Sequence, residues 1–284
     1  MTARVSVLID AEPAHRLLAR DPAPVLLDVR WALGDHEGRA HHESGHIPGA
    51  VYVDLETELA GPPGSGRGRH PLPEPAALQA AARSWGIRST SHVVAYDDVG
   101  NLSAARAWWL LRWAGLARVQ LLDGGLGAWR LAGYGIESGP VTPQPGDVTL
   151  APGRLGVLSA EESAALARTG LLLDARAPER YRGDFEPVDP RAGHVPGAVS
   201  APTASNLRSD GTFEDPAELA RRFAALGAQA GIPIGVYCGS GITAAHEIAA
   251  LAIAGLDAAL YPGSWSEWVS DPSRPVAVGP EARE

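Results

Sequence analysis

A long internal repeat constrains the fold of this chain more than any other feature. The heptapeptide Gly-His-Ile-Pro-Gly-Ala-Val at 45–51 returns as Gly-His-Val-Pro-Gly-Ala-Val at 193–199. Upstream, Leu-Leu-Asp-Val-Arg at 26–30 matches Leu-Leu-Asp-Ala-Arg at 172–176, so the order of the matches is kept. A solenoid would show several repeats of about 20–50 residues, whereas two distant matching sets indicate a duplicated domain. We therefore expect two copies of one fold in the 284 residues.

Each copy alternates short apolar runs with amphipathic segments. The predicted strands lie at 25–29, 93–96, 171–175 and 234–237, and the predicted helices at 75–85, 101–113, 160–168, 216–226 and 242–254. Continuous apolar strands separated by helices are typical of a mainly parallel sheet with helices on both faces. The predicted fold class is therefore α/β, with tandem domains at 1–137 and 157–284. Between them, prolines and glycines at 138–156 predict an exposed linker.

Two short motifs predict where helices begin. Ser159 with Glu162 fits a capping box, and Asp215 before Pro216 places a capping side chain ahead of a proline that suits the first helical turn.

The composition restricts the classes of function. The chain is 45% hydrophobic and 20% charged, which are globular values, and its formal charge of −9 argues against binding to the nucleic-acid backbone. No apolar run approaches the roughly 20 residues of a membrane span, and the first residues lack the core of a signal peptide. We therefore expect a cytoplasmic protein that binds neither nucleic acid nor membrane.

The single cysteine, Cys238, follows a predicted strand and precedes a predicted helix. A lone cysteine is more often a small buried hydrophobic residue than a nucleophile. Here, however, the N–H groups of a helix N-terminus converge on the loop and favour a thiolate, and Gly239 and Gly241 let the chain curl around the sulfur. We therefore predict that Cys238 is a reactive nucleophile.

Several motifs resemble those of one known family, the tandem-domain sulfurtransferases that comprise rhodanese and 3-mercaptopyruvate sulfurtransferase. They are Cys-Gly-Ser-Gly-Ile-Thr at 238–243, both Gly-His-x-Pro-Gly-Ala motifs, Gly-Gly-x-x-x-Trp at 124–129 and Gly-Ser-Trp-x-Glu-Trp at 263–268. The resemblance implies that only the C-terminal domain is catalytic. Asp97 stands at the cysteine position of the N-terminal copy and cannot form a persulfide.

The resemblance also implies roles for other residues. In the cysteine loop, Ser240 would relay a proton or bind the substrate sulfur, and four neighbours would bind the substrate: Gly239, Gly241, Ile242 and Thr243. Arg180 and Arg191 would hold the substrate carboxylate, although two more residues lie between them in this chain than in the better-known members of the family. The alternative for Ser240 is a serine that only forms the turn. The alternative for Arg180 and Arg191 is that they are surface arginines with no role in binding.

An acidic residue of the N-terminal domain, Asp35 or Glu37, would join the site, and the sequence does not choose between them. His46 and His194 recur in both copies although only one copy has the cysteine, which favours a structural role. The scattered histidines do not indicate a metal site.

The sulfur donor is predicted from the loop chemistry. Rhodanese loops carry basic residues that suit the thiosulfate dianion, whereas the neutral Gly239-Ser240-Gly241 resembles the 3-mercaptopyruvate enzymes. The expected acceptor is a thiol, thioredoxin or cyanide, with no metal and no cofactor. The alternatives are a thiosulfate sulfurtransferase and a non-enzymatic sulfur carrier. A phosphatase is disfavoured because Ala244 stands where the phosphate-binding arginine would be.

Overall fold

The computed structural model describes residues 3–64, 66–229 and 231–280, which form two compact units. Unit 1 takes the chain up to Gly61, then Pro73–Arg154 and Leu207–Phe213; unit 2 takes Pro62–Leu72, Leu155–Asn206 and the chain from Glu214 onward. The domain limits and linker predicted from the sequence stay a prediction, because this division groups residues by contact in space and not by position along the chain.

Unit 1 contains a five-stranded parallel sheet with the order β1-β5-β4-β2-β3. Its strands are β1 (Leu8–Ile9), β2 (Val25–Asp28), β3 (Val51–Tyr52), β4 (Val93–Tyr96) and β5 (Val119–Leu122). Its helices are α1 (Ala3–Val7), α2 (Ala11–Leu18), α3 (Gly38–Ser44), α4 (Leu55–Glu58), α5 (Pro75–Ser84), α6 (Ala104–Trp113) and α7 (Gly125–Leu131).

Unit 2 repeats the arrangement with a four-stranded parallel sheet of order β7-β6-β8-β9. Its strands are β6 (Leu171–Asp174), β7 (Val199–Ser200), β8 (Ile234–Tyr237) and β9 (Ala259–Leu260). Its α-helices are α8 (Ala160–Thr169), α9 (Pro178–Arg182), α10 (Pro216–Ala225), α11 (Thr243–Ile253) and α12 (Ser264–Trp268), and a 3₁₀ turn spans Thr203–Asn206.

The two sheets confirm the predicted α/β class and the duplication. All four residues of β4 are buried, as are all four of β8, which explains why these strands are continuous apolar runs in the sequence. The four predicted strands and five predicted helices are present. Helix α6 begins at Ala104, three residues later than predicted. Within the described residues, no helix is long and apolar enough to cross a membrane.

The two predicted helix starts have different outcomes. Ser159 and Glu162 form the predicted capping box, with the Glu162 N–H donating to Ser159 Oγ at 3.1 Å and the Ser159 N–H donating to the Glu162 carboxylate at 2.7 Å. Asp215 is the N-cap residue of α10 and Pro216 begins the helix, as predicted, but the Asp215 side chain makes no capping hydrogen bond. The fixed φ of Pro216 supports the start of α10 instead.

The repeated Asp-x-Arg motifs make the same contacts in both units. Arg30 Nη2 donates to Asp28 Oδ2 at 2.7 Å, and Arg176 Nη2 donates to Asp174 Oδ2 at 2.6 Å. Each arginine also donates to the carbonyl of the glycine that opens the Gly-His-x-Pro-Gly motif. Each buried ion pair thus links the end of one strand to the Gly-His-x-Pro-Gly motif that precedes the next strand. This is an architectural role.

Candidate active site

Cys238 lies directly after β8 in unit 2, in a tight loop that leads into α11. Its side chain is buried, and the Gly241 N–H donates to Cys238 Sγ at 3.1 Å. Gly241 has a φ of +82°, and a Cβ there would lie 2.4 Å from the carbonyl oxygen of Pro262. The loop therefore needs glycine at this position, and that glycine turns a backbone donor towards the sulfur.

Residues after β9 hold the loop from its other side. The Cys238 N–H donates to Ser264 Oγ at 3.1 Å, and this hydroxyl donates to the carbonyl of Tyr261 at 2.9 Å. The N–H groups of Trp265 and Ser266 donate to the carbonyls of Cys238 and Gly239 at 3.0 and 2.9 Å. Because these hydrogen bonds engage the backbone of the cysteine loop itself, the conformation of the loop is fixed before any substrate binds.

Ser240 and His70 form a buried polar pair beside the cysteine. His70 Nδ1 lies 2.8 Å from Ser240 Oγ, and both residues are buried. His70 belongs to Pro62–Leu72, a segment from the first half of the chain that packs in unit 2. A hydroxyl bonded to an imidazole can pass a proton between the imidazole and a bound molecule. His70 is not predicted from the sequence, because one histidine among nine carries no local signal.

Two guanidinium groups lie at Gly239, the residue after the cysteine. A Cβ placed on Gly239 would lie 3.2 Å from Arg69 Nη2 and 3.4 Å from Arg180 Nη1. Arg180 comes from α9, and Arg69 comes from the same segment as His70. Two guanidinium groups therefore lie beside the residue that follows the cysteine, where they can bind an anionic group of a substrate.

Two buried carboxylates position these arginines. Glu186 accepts from Arg180 Nε at 3.1 Å and from Arg180 Nη2 at 2.7 Å, and Asp189 is bonded to both Arg69 and Arg180. Burial raises the pKa of Glu186, but hydrogen bonds from Arg180 and from two backbone N–H groups outweigh it and lower that pKa overall. Burial raises the pKa of Asp189, which Arg69 partly offsets.

The equivalent loop of unit 1 contains Asp97 in place of a cysteine. Asp28 pairs with Tyr96 across β2 and β4 as Asp174 pairs with Tyr237 across β6 and β8, so Asp97 and Cys238 follow equivalent strands. The Asp97 carboxylate accepts four backbone N–H groups of its own loop, at 2.7–3.0 Å, from Val99, Asn101, Ser103 and Ala104. Because the carboxylate bonds these four N–H groups, the Asp97 loop extends as far as Ala104, where α6 begins.

One protein-family model matches both halves of the chain. The model of the rhodanese-like domain matches residues 10–132 and again residues 159–271. The chain belongs to the rhodanese-like family.

Close relatives of this rhodanese-like chain are sulfurtransferases. A Mycobacterium tuberculosis protein named as a thiosulfate sulfurtransferase, SseB, is 52% identical over 98% of this chain and 99% of its own length. A Pseudomonas aeruginosa protein named as a 3-mercaptopyruvate sulfurtransferase is 48% identical over 94% of this chain and 97% of its own length. The chain is a sulfurtransferase, and the activity requires a sulfur donor and a thiol acceptor.

Solved structures share the architecture of this rhodanese-like chain. The crystal structure of SseA from Escherichia coli, a 3-mercaptopyruvate sulfurtransferase, superposes with a TM-score of 0.81 at 31% identity, covering 92% of this chain and 99% of SseA. The 3-mercaptopyruvate sulfurtransferase of Leishmania major gives a TM-score of 0.83 at 28% identity, covering 95% of this chain and 75% of its own.

The remaining residues predicted for the rhodanese-like site lie in three places. Ile242 is buried just before α11, and Thr243 begins that helix. Arg191 Nη1 donates to the carbonyl of Arg274 at 3.1 Å. Asp35 and Glu37 lie in unit 1, where the Glu37 N–H donates to Asp35 Oδ1 and lowers the pKa of that exposed carboxyl. In the described part of the chain, no group of three His, Cys, Asp or Glu residues could hold a metal.

Proposed function

We propose that the chain transfers sulfur from 3-mercaptopyruvate to an acceptor through a persulfide on Cys238. One observation carries the proposal: the Cys238 sulfur accepts a backbone N–H of its loop while the Arg180 guanidinium lies at the next residue, Gly239. A nucleophilic sulfur beside a carboxylate-binding cation matches a donor whose sulfur and carboxylate are a few bonds apart.

In the first half-reaction the Cys238 thiolate attacks the thiol sulfur of the donor. The new S–S bond forms as the bond from C3 of the donor to sulfur breaks, and the electron pair of that bond leaves with the carbon fragment as the enolate of pyruvate. One proton added at C3 completes pyruvate. The Gly241 N–H stabilises charge on the cysteine sulfur, and Arg180 with Gly239, Ile242 and Thr243 holds the donor.

Ser240 and His70 serve this half-reaction as a proton relay. The 2.8 Å contact between Ser240 Oγ and His70 Nδ1 supports a route by which the hydroxyl gives a proton to the enolate and recovers it from the imidazole. This role needs a hydroxyl at position 240, and a basic side chain there would not serve it.

In the second half-reaction an acceptor attacks the outer sulfur of the persulfide and regenerates the thiolate. A small thiol, reduced thioredoxin or cyanide has the required nucleophile. The acceptor enters after pyruvate leaves, so the kinetics are ping-pong.

The choice of donor rests on the loop. Ser240 is neutral, and the cations near it come from outside the loop, paired with Glu186 and Asp189. This arrangement favours a singly charged carboxylate over the thiosulfate dianion, which remains the alternative because SseB of Mycobacterium tuberculosis carries that name.

The N-terminal domain, 1–137, is proposed to be non-catalytic, with Asp97 at the position equivalent to Cys238. A cytoplasmic location completes the proposal, since reducing conditions preserve the single free thiol between turnovers.

A rapid-mixing experiment tests the mechanism and the donor together. Without acceptor, 3-mercaptopyruvate should release one pyruvate per enzyme in a burst, and intact-mass analysis should show about 32 Da added to the peptide containing Cys238. The steady-state kcat/KM for 3-mercaptopyruvate should exceed that for thiosulfate. Turnover with both substrates but neither burst nor added mass would replace the persulfide by direct transfer in a ternary complex.

A further inference from the structure

Arg69 and Arg180 converge on the residue that follows the nucleophile. From a Cβ placed on Gly239, Arg69 Nη2 would be 3.2 Å away and the two Nη atoms of Arg180 would be 3.4 and 3.6 Å away. The Arg69 N–H also donates to Ser266 Oγ at 3.1 Å, and Ser266 in turn bonds to the carbonyl of Gly239. The backbone of Arg69 is therefore tied to the same loop that its side chain approaches.

Asp189 holds the two guanidinium groups at one spacing. Its Oδ1 accepts from Arg69 Nη1 and its Oδ2 lies 3.4 Å from Arg180 Nη2, while its side chain is only 4% exposed. The Asp189 carboxylate therefore lies between the two guanidinium groups and fixes their positions relative to each other. Because a buried aspartate maintains this separation, the two cations need little reorganisation when a substrate carboxylate binds.

Arg69 also has a hydrogen-bond donor to spare. Its Nε is buried and has no hydrogen-bond partner among the described residues. A buried donor without a partner costs about 1–3 kcal/mol and is rare in native proteins, so such a group calls for an explanation. The Arg191 guanidinium is bonded elsewhere, since its Nη1 donates to the backbone carbonyl of Arg274 at 3.1 Å.

We infer that Arg69, rather than Arg191, is the second arginine that binds the donor carboxylate, and that Arg69 and Arg180 form one carboxylate-binding pair positioned by Asp189. The inference rests on the proposed function, since it takes 3-mercaptopyruvate as the donor. Two cations at Gly239 bind the carboxylate of the donor beside the loop that carries the reacting sulfur of Cys238. Arg69 thereby determines specificity for a carboxylate-bearing donor.

The test compares 3-mercaptopyruvate with its methyl ester, which keeps the thiol and the ketone but lacks the negative charge of the carboxylate. Arg69→Gln should lower kcat/KM for 3-mercaptopyruvate about 10- to 150-fold, mainly through KM, the range for losing a charge-assisted hydrogen bond. The same variant should change the methyl ester by less than about threefold. Arg182→Gln, which removes a partly exposed arginine paired with Asp184, is the matched control and should leave both donors unchanged.

Two results would overturn the inference. Equal loss on the acid and the ester would make Arg69 a purely structural partner of Asp189. A loss selective for the acid in Arg191→Gln, but absent in Arg69→Gln, would assign the pair to Arg180 and Arg191. Because Arg69→Gln leaves Asp189 with fewer donors, the double variant Arg69→Gln/Asp189→Asn is measured alongside it, with the Tm of each.

Failure of the proposed function has a different signature. A wild-type enzyme that turns over thiosulfate but not 3-mercaptopyruvate would refute the donor before any variant is compared. If the wild type prefers 3-mercaptopyruvate to its ester and Arg69→Gln keeps that preference, the function stands and the assignment of Arg69 is wrong.

Discussion

His70 Nδ1 lies 2.8 Å from Ser240 Oγ, although 170 positions of sequence separate the two residues. Both side chains are buried. A buried hydroxyl needs a hydrogen-bond partner, and here that partner is a group that can exchange protons. The contact therefore links the cysteine loop to a proton carrier that the loop sequence does not itself contain.

The relay predicts a loss of rate rather than of binding. Ser240→Ala and His70→Gln should each lower kcat about 10²-fold or more, the usual contribution of a positioned acid–base group, with little change in KM. The double variant should be no slower than the worse single variant, because the two groups act as one unit. Ser270→Ala, which removes an exposed hydroxyl, is the control. Additive losses would show that the two residues act separately.

Cys238 should be indispensable. Cys238→Ser keeps the size of the side chain and should abolish sulfur transfer while leaving the Tm close to that of the wild type, because a hydroxyl cannot form a persulfide. Steady-state turnover and thermal unfolding measure the two halves of this expectation. Retention of about a tenth of the activity would contradict the nucleophilic role, since losing the nucleophile of a covalent mechanism costs orders of magnitude.

Arg180 should contribute to donor binding. Arg180→Gln should lower kcat/KM for 3-mercaptopyruvate about 10- to 150-fold, since a charge-assisted hydrogen bond at a shielded site contributes about 1.5–3 kcal/mol. Arg182→Gln, on the same short helix but directed to Asp184, should leave kcat/KM unchanged. If the two variants behave alike, Arg180 does not touch the substrate.

Glu186 should make stability depend on pH in the acid range. Its pKa is lowered in the folded protein because the hydrogen bonds from Arg180 and the backbone outweigh burial. A depressed carboxyl pKa stabilises the fold above the unfolded value of about 4.3, and that contribution is lost as the pH falls through the folded pKa. Glu186→Gln should therefore lower the Tm at pH 7, and the difference from the wild type should shrink towards pH 3. A difference that is constant with pH would show that the charge of Glu186 contributes nothing.

Short sequence patterns were enough to predict much of the fold of this protein. The sequence predicted the repeat, the α/β class, the strand before Cys238 and the helix after it. These features are predictable because burial on both faces of a sheet and glycine-dependent turns are encoded within a few consecutive residues. Gly241 illustrates this, since its positive φ and its approach to the Pro262 carbonyl exclude any other side chain. Asp97 was likewise predicted to stand at the cysteine position of the first copy, and it follows β4, the strand of unit 1 that is equivalent to β8.

Only the tertiary structure decided which side chains surround the cysteine. Segment 62–72 has no helical or strand periodicity, so nothing in it predicted that Arg69 and His70 would pack in unit 2, at Asp189 and Ser240. Arg191 was predicted by resemblance, and its contact with the carbonyl of Arg274 could not be foreseen from the sequence. Contacts across more than a hundred positions depend on the path of the whole chain, because each is selected by burial and charge pairing that no local pattern encodes.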